Sequence, residues 1–357
     1  MKSLLNKYIS FTNRFAPKRV IEPFVGLDIG ASSCKAVELV VCEDSSREIL
    51  NWAVEPLNEL NVIQSVRKVL AKLNTTTKNF ATAISGQGTL VRYIDMPRMS
   101  LEDLRRSVDV EADKHFPFPK DKIYTDCCIL DPQGKDSKMA VLIAAAKKEV
   151  IAQRLKMLSE INLPSDFVGI NAIALVNAFN TFPPQNLGQN SAPQSGKSNI
   201  IAILDIGDVV SNLIITKDSV PRFTRDIFIG GRELNRRIAN ALNVNMEEAE
   251  KIKCQPQDRS ENVLLACDST LINLASEIRL SFDYLATENN MQVSRLFATG
   301  GSAMFSGITD FLAKNLEIPV ELWDPFLSLK LSPQVSRSEI EKNSSQLAVA
   351  LGLALCS

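Results

Sequence analysis

The sequence predicts an α/β protein made of two like lobes that face a shared site. Three observations predict it. A strand runs into an Asp-Ile-Gly turn and returns as a second strand at Phe24 to Leu39, and the same figure recurs at Ile200 to Ile215. The flanks repeat too. Strands near 36–41 and 48–54 and a helix near 58–73 follow the first turn; strands near 211–216 and 222–228 and a helix near 232–242 follow the second. Such self-similarity marks a duplicated unit. Finally, 357 residues exceed what one hydrophobic core organises, so two or more domains are expected.

One Asp-x-Gly after a strand also reads as an ordinary hairpin turn. The repeated flanks argue for a site. Glycine lets the backbone turn tightly and brings N–H groups close to a polyphosphate. Asp28 and Asp205 can organise a hydrated magnesium ion, which keeps several of its waters. Lys35 supplies a point charge for phosphate.

Composition is that of a soluble globular protein, 45% apolar and 23% charged. A net charge of −1 provides no global basic field for nucleic acid. The 7 cysteines include no C-x-x-C, and His115 is the one histidine, so a zinc site is not expected. Scattered thiols fit a reducing, cytoplasmic setting. No run of about 18 apolar residues occurs, so no membrane span is expected.

Residues 1–19 carry Lys2, Lys7, Arg14, Lys18 and Arg19 and no acid. Leu4, Leu5, Tyr8, Ile9, Phe11 and Phe15 approximate one helical face. This arm reads as an interfacial helix on anionic lipid or as a frayed N-terminal extension. The first repeat runs on to a buried strand, Phe80 to Gly86. Leu90 to Ile94 reads as a strand ending at Met96-Pro97. Ser100 caps a helix over about 101–115, with Glu102 and Asp103 near its N-terminus. Phe116-Pro117-Phe118-Pro119 stops it. Strands near 123–130 and 139–146 surround the turn Asp131-Pro132-Gln133-Gly134, and a helix follows to about 161. Residues 87–160 therefore form a compact α+β insertion. It holds no acid–base constellation, which is the profile of a recognition module.

Phe167 to Ala172 leads into a helix ending near Phe179. Residues 184–198 are rich in Pro, Gln, Asn, Ser and Gly and read as a linker. Gly196-Lys197-Ser198 inside it is no P-loop: Ser191 stands where that motif needs glycine, and no strand precedes it. Glu250 and Lys253 sit three apart on one helix face, which by itself describes a solvated ionic pair. A helix over 268–288 presents Leu271, Leu274, Ile278, Phe282 and Leu285 as one stripe. Leu296 to Ala303 is a strand running into the turn Gly300-Gly301, a third glycine-rich strand end suited to the flat face of a base or sugar. Residues 345–357 form a helix of small residues suited to packing against the first lobe.

In this order the three turns resemble the phosphate-1, phosphate-2 and adenosine motifs of the actin-like ATPase fold. That fold is a duplicated, ribonuclease-H-like α/β architecture shared by heat-shock chaperone ATPases, FtsA and sugar kinases. More specific matches are Gly26 to Gly30 with Lys35 to Leu39, Met96-Pro97 to Phe116-Pro117-Phe118-Pro119, Glu277 to Tyr284, and Thr299-Gly300-Gly301 to Asp324-Pro325-Phe326. On these residues the chain, over about 24–357, resembles the PilM family of type IV pilus assembly proteins.

The resemblance implies four subdomains. Subdomain 1A comprises 20–86, 161–183 and 336–357; 1C is the insertion 87–160; 2A comprises 199–231 and 293–335; 2B is 232–292. It implies ATP and Mg as cofactors. Asp28, Gly30, Ser32, Ser33 and Lys35 would line one phosphate turn, and Asp205, Gly207 and Asp208 the other. Glu250 and Lys253 would meet ribose and adenine, and Gly300, Gly301 and Ser302 the adenosine. Asp28 and Asp205 would hold Mg through water. One departure stands out: Asn171 occupies the place where a Glu or Gln typically orients the attacking water. Asn is shorter and is no base, so ATP binding is expected and turnover is expected to be slow or absent.

The implied function is an ATP-binding scaffold of a type IV pilus, or of a related type II secretion machine. It would be cytoplasmic and peripheral on the inner membrane. Its implied partner is the N-terminal cytoplasmic tail of a PilN-like inner-membrane protein, held between 1A and 1C; PilO-type and motor-ATPase components and self-association are further expectations, and nucleic acid is not. Two alternatives stay open. An FtsA-like division filament protein would carry a basic amphipathic tail, and this chain ends Leu-Gly-Leu-Ala-Leu-Cys-Ser. A small-molecule kinase would need a catalytic Asp in a substrate pocket, and the sequence presents no such constellation.

Overall fold

A computed structural model describes residues 22–57, 60–132, 137–163, 167–187 and 199–356. The basic arm 1–19 and residues 188–198 of the linker, with Gly196-Lys197-Ser198, lie outside the described residues.

Apolar runs bounded by turn residues become the strands of two related sheets. β1 (Phe24–Ile29), β2 (Ser33–Val41) and β3 (Arg47–Pro56) form an antiparallel meander. The helix Val62–Leu73 then crosses to β4 (Phe80–Ile84), parallel to β1. The chain next builds a separate sheet from β5 (Thr89–Pro97), β6 (Ile123–Ile129) and β7 (Lys138–Lys147), in the order β5-β7-β6. It returns through the helix Lys148–Ser159 to β8 (Phe167–Ile170), parallel to β4. The second lobe repeats the figure. β9 (Ile200–Ile206), β10 (Ser211–Lys217) and β11 (Val220–Ile227) form the meander, with β12 (Arg295–Thr299) and β13 (Val320–Leu322) added in parallel. The short β14 (Lys330–Leu331) closes the first sheet against β3. The orders β3-β2-β1-β4-β8 and β11-β10-β9-β12-β13 are therefore the same topology twice. The fold is the duplicated, actin-like one expected from the sequence.

Two helices differ from expectation. The helix after Ser100 breaks at Glu111 into Leu101–Val110 and Ala112–His115, although Ser100 caps it as expected, its Oγ accepting from the Asp103 N–H at 3.1 Å. The helix expected over 268–288 begins earlier and runs Ser260–Asn289, because buried Val263 and Cys267 continue its stripe at helical spacing.

The lobes share a core. Ala81 and Ala83 of β4, Ile201 and Ile203 of β9 and Phe297 of β12 meet through Leu175 and Phe179 of the helix Asn171–Thr181 and Leu353 of the helix Ala348–Ala354. Every residue of this last helix is buried, and its alanines and glycine let neighbouring backbone come close. Gly352 is the closest approach: a Cβ there would overlap the Ala174 carbonyl oxygen. Gly352→Ala should therefore cost about 3 kcal/mol despite its better helix propensity, because backbone must move. Calorimetry should show the melting temperature lowered by roughly 5 °C or more. An unchanged midpoint would mean that the two helices slide freely.

The insertion sheet has two unlike faces. Leu90, Ile94, Val141, Ile143 and Cys127 pack on Leu104 and Val108 of its own helix and on Phe116 just beyond the second. Directly paired Tyr93, Leu142 and Cys128 share the opposite face, with Ala144 and Asp126 one step along. That face looks toward both lobes, and the Tyr93 hydroxyl meets Thr224 Oγ1 of β11 at 2.8 Å. Burial pushes the Tyr93 phenol up to about 12, so this link stays neutral and hydrogen-bonded at ordinary pH.

Candidate functional site

The carboxyl ends of the parallel strands converge, which is where α/β sheets bind ligands. Asp28 lies near the end of β1, Ser85 follows β4, Asn171 follows β8, Asp205 lies near the end of β9 and Gly300 follows β12. All of them line one cleft of about 120 Å³, together with Gly30, Ser32, Lys35, Gly207, Asp208 and Gly301. The two Asp-Ile-Gly turns thus meet across a single cavity.

Asp28 and Lys35 are neighbours across the β1–β2 hairpin and form a buried ion pair at 3.1 Å. The turn between them is tied by the Gly30 N–H donating to the Ser33 carbonyl at 3.0 Å. Asp205 is half-buried and forms no ion pair among the described residues. Burial first, and the Asp28 carboxylate second, push it up to about 7, with Lys35 pulling the other way. Gly300, at φ +92, lets the third turn lie directly against Asp205; a Cβ there would overlap Asp205 Oδ1. The Gly300 N–H in turn donates to the Ser345 carbonyl at 3.0 Å, which fastens this turn to the C-terminal segment. Asp208 is already engaged by Arg232 at 2.9 Å.

This donor set fits a hard divalent cation and phosphate. Two facing carboxylates supply oxygen ligands or anchor the ion's waters. The raised Asp205 marks a place where negative charge lacks a counter-ion. The cleft's volume, about 120 Å³, is below the roughly 300–1,000 Å³ of complete ligand pockets. It has room for phosphates and not for a whole nucleotide.

Four expected contacts, Ser33, Glu250, Lys253 and Ser302, fall outside the cavity lining. Lys253 is 1% exposed, and Glu250 Oε2 accepts from its Nζ at 2.6 Å. It lies on the inward side of the helix Met246–Cys254, where Ala249 is also buried. Three-residue spacing brought Glu250 and Lys253 together but could not say which of them faces inward. Ser302 is also buried, and a Cβ on Gly231 would touch both Ser302 and Lys253. Ser33 contributes its backbone to the first turn and does not line the cavity.

Sequence reasoning missed Asn212, Ser345 and Gln346, which do line it. Asn212 is 5% exposed and donates to Asp226 Oδ1 at 2.6 Å. Its pairing opposite Asp205 in the β9–β10 hairpin was a signal available from the repeat. Arg154 was missed as well. It reaches from the helix after β7 to Thr82 Oγ1 at 3.3 Å, and its charge acts on Asp28.

A second candidate site lies beside the insertion. A groove of about 470 Å³ runs between β6–β7 and the helix Asn171–Thr181. Ile173, Val176, Asn177 and Asn180 form one face of that helix and the groove's floor. Leu142 and Ala144 form a wall, and Ser219, Val220 and Pro221 of the β10–β11 turn form the rim. Asn180 holds that turn by donating to the Ser219 carbonyl at 2.9 Å. Both β6 and β8 end their sheets, so each presents a backbone edge beside the groove.

Comparison with known proteins decides the family. The model of the family described as type IV pilus assembly protein PilM matches residues 26–357. The chain belongs to the PilM family. Its structure is similar to that of a PilM–PilN type IV pilus biogenesis complex, with a TM-score of 0.81, 22% identity, and coverage of 93% of this chain and 98% of that one. It is more distantly similar to the ethanolamine utilization protein EutJ from Carboxydothermus hydrogenoformans, at TM-score 0.54 and 15% identity over 99% of each chain. Both likenesses support the actin-like fold. Membership of the family places the chain among type IV pilus assembly proteins.

Proposed function

We propose that this protein is an ATP-binding scaffold of the pilus assembly platform, and that its groove captures the N-terminal cytoplasmic tail of a PilN-like inner-membrane protein. The observation that carries this reading is the groove itself. It offers apolar seats over Ile173 and Val176, a volume of about 470 Å³ and two strands, β6 and β8, that end their sheets, the surface that an extended peptide needs for side-chain anchors and main-chain pairing. The similar solved complex carries PilN by name. In the proposed division, the groove separates subdomain 1C (87–160) from 1A (20–86, 161–183 and 336–357). Subdomains 2A (199–231 and 293–335) and 2B (232–292) make the second lobe. Among the described residues no helix is long and apolar enough to cross a membrane, so the partner's span would bring this protein to the membrane surface. Titrating isotope-labelled protein with the synthetic PilN tail tests the reading. Shifts should centre on Leu142, Ile173 and Val176; shifts confined to the second lobe, or none at millimolar peptide, would overturn it.

ATP with Mg is the proposed cofactor. Mg would neutralise phosphate charge beside Asp28 and Asp205, and Lys35 would exchange its carboxylate partner for phosphate. Because the cleft accommodates phosphates alone, adenosine requires the lobes to part near Gly300, Gly301 and Ser302, the side on which half-exposed Glu250 would then be offered. Asn171 is the first residue of its helix and lines the cleft, but carries no base. Phosphate release should therefore run far below the roughly 10 per second of a median enzyme, and Asn171→Glu should raise it. A wild-type rate near that median would refute this account of Asn171. The family match favours the scaffold over a division filament or a small-molecule kinase.

A further inference from the structure

We propose that a polar cleft continuous with the groove is a carboxylate subsite, in which Lys217 and Arg222 hold an acidic side chain of the captured tail. The proposal rests on the peptide-groove reading and adds a charge and a spacing to it. The cleft measures about 390 Å³ and lies between the insertion sheet and the β10–β11 hairpin. Tyr93 lines both spaces. Along β7 the groove uses Ala144 and Leu142, and the polar cleft takes over at Ala140, the next residue on the same face. Across the gap the same hairpin serves both: Ser219 to Pro221 rim the groove, while Lys217 and Arg222 on either side line the cleft.

Once committed groups are set aside, the cleft holds three cations, Lys138, Lys217 and Arg222, against the single carboxylate of Asp95. Asp131 accepts from Arg98 at 3.2 Å and from the Ala140 N–H at 2.8 Å. Asp218, between the two cations in sequence, accepts from the Asn199 N–H at 2.9 Å. Asp95 is exposed and forms no ion pair with either cation. Lys217 and Arg222 are both half-buried and carry no ion pair among the described residues. Half-buried cations with no carboxylate partner gain little for the fold. An arriving carboxylate would gain charge-assisted hydrogen bonds from both, with the planar guanidinium fork of Arg222 setting its orientation.

The spacing follows from strand geometry. Ala144, Leu142 and Ala140 recur every second residue, about 7 Å apart. An extended peptide advancing in step places alternate side chains at the same interval. The tail should therefore read apolar-x-apolar-x-acidic, or the reverse, with the two apolar anchors over Ala144 and Leu142 and the acid at the level of Ala140.

Fluorescence anisotropy with the labelled synthetic tail of the host's PilN tests this. Wild-type protein should bind it, more weakly at 300 than at 50 mM salt (about the range over which the Debye length shrinks markedly). The double variant Lys217→Glu, Arg222→Glu should bind at least about 10-fold more weakly, and Lys217→Gln, Arg222→Gln about 5-fold, with unchanged melting temperatures because both side chains line open space. A tail whose acid is replaced by Lys should regain affinity on the Glu variant and lose it on wild type. Equal binding of the native tail to wild type and to the Glu variant would overturn the subsite and leave the groove standing. No binding to wild type at any salt would overturn the groove reading itself, and this proposal with it.

Discussion

Asp205→Asn should abolish magnesium-dependent ATP binding while making the nucleotide-free protein more stable above pH 7. Both effects come from one cause. Asp205 is a carboxylate placed where burial and the Asp28 charge oppose ionisation, so its pKa rises from 3.8 to about 7. A carboxyl raised in the folded state contributes stability that is complete below its unfolded value and is lost as pH rises through its folded value. Between about pH 4 and pH 7 the wild type should therefore lose stability that the Asn variant keeps. A shift of about three units corresponds to roughly 4 kcal/mol at most. Asp205 is not sealed from water, so about 2 kcal/mol is the expected difference at pH 8. Asn cannot offer the anionic oxygen that organises the ion, and Asp28 is already paired with Lys35 at 3.1 Å. ATP affinity should fall by 100-fold or more. Calorimetric titration and paired melting curves at pH 5 and pH 8 check the two halves. Equal melting temperatures at pH 8 would show that Asp205 is not strained in the free protein. Retained affinity would remove it from the proposed metal site.

What the sequence made legible, and what it hid, divides by range. Asp28 and Asp205 could be found because each ends an apolar strand and the figure recurs, so the repeat itself announced a common cleft. The succession of three strands and a helix, occurring twice along the chain, was legible for the same reason, whereas the order of the strands within each sheet came only with the structure. Ser345 and Gln346 were hidden because they arrive from the far end of the chain, and tertiary contacts such as the Ser345 carbonyl accepting from the Gly300 N–H and the Thr299 hydroxyl bring them to the cleft. Lys253 shows a different limit. Helical spacing gives neighbours on a face but not which way the face turns, and here the lysine turned inward, under Gly231. The insertion's three strands were legible from apolar runs bounded by turn residues. Its working face was not, because β5 alternates weakly and both its faces are partly covered, one by its own helices and one by the lobes.

The insertion's working face gives the other large expected effect. Ala144→Trp should weaken binding of the PilN tail by at least about 30-fold and leave ATP affinity within about twofold. Ala144 sits on β7 facing Ile173 and Val176 across the groove, and its small side chain is what leaves that space open. An indole there would occupy the seat of one apolar anchor. Burying one such side chain is worth about 1.5–3 kcal/mol, and each 1.4 kcal/mol is tenfold in affinity. Ala144 is itself buried but lines the groove and belongs to none of the hydrophobic clusters, so the melting temperature should fall by several degrees without loss of the fold. Ala144 is absent from the lining of the cleft proposed for ATP, which is why nucleotide affinity serves as the internal control. Ala144→Ser, which adds one hydroxyl and little volume, should bind the tail almost as wild type does. If both variants bind the tail equally well, the peptide does not lie over β7. If Trp lowers tail and ATP affinity together, the two sites are coupled through the shared core of Leu175 and Phe179, and their independence assumed here fails.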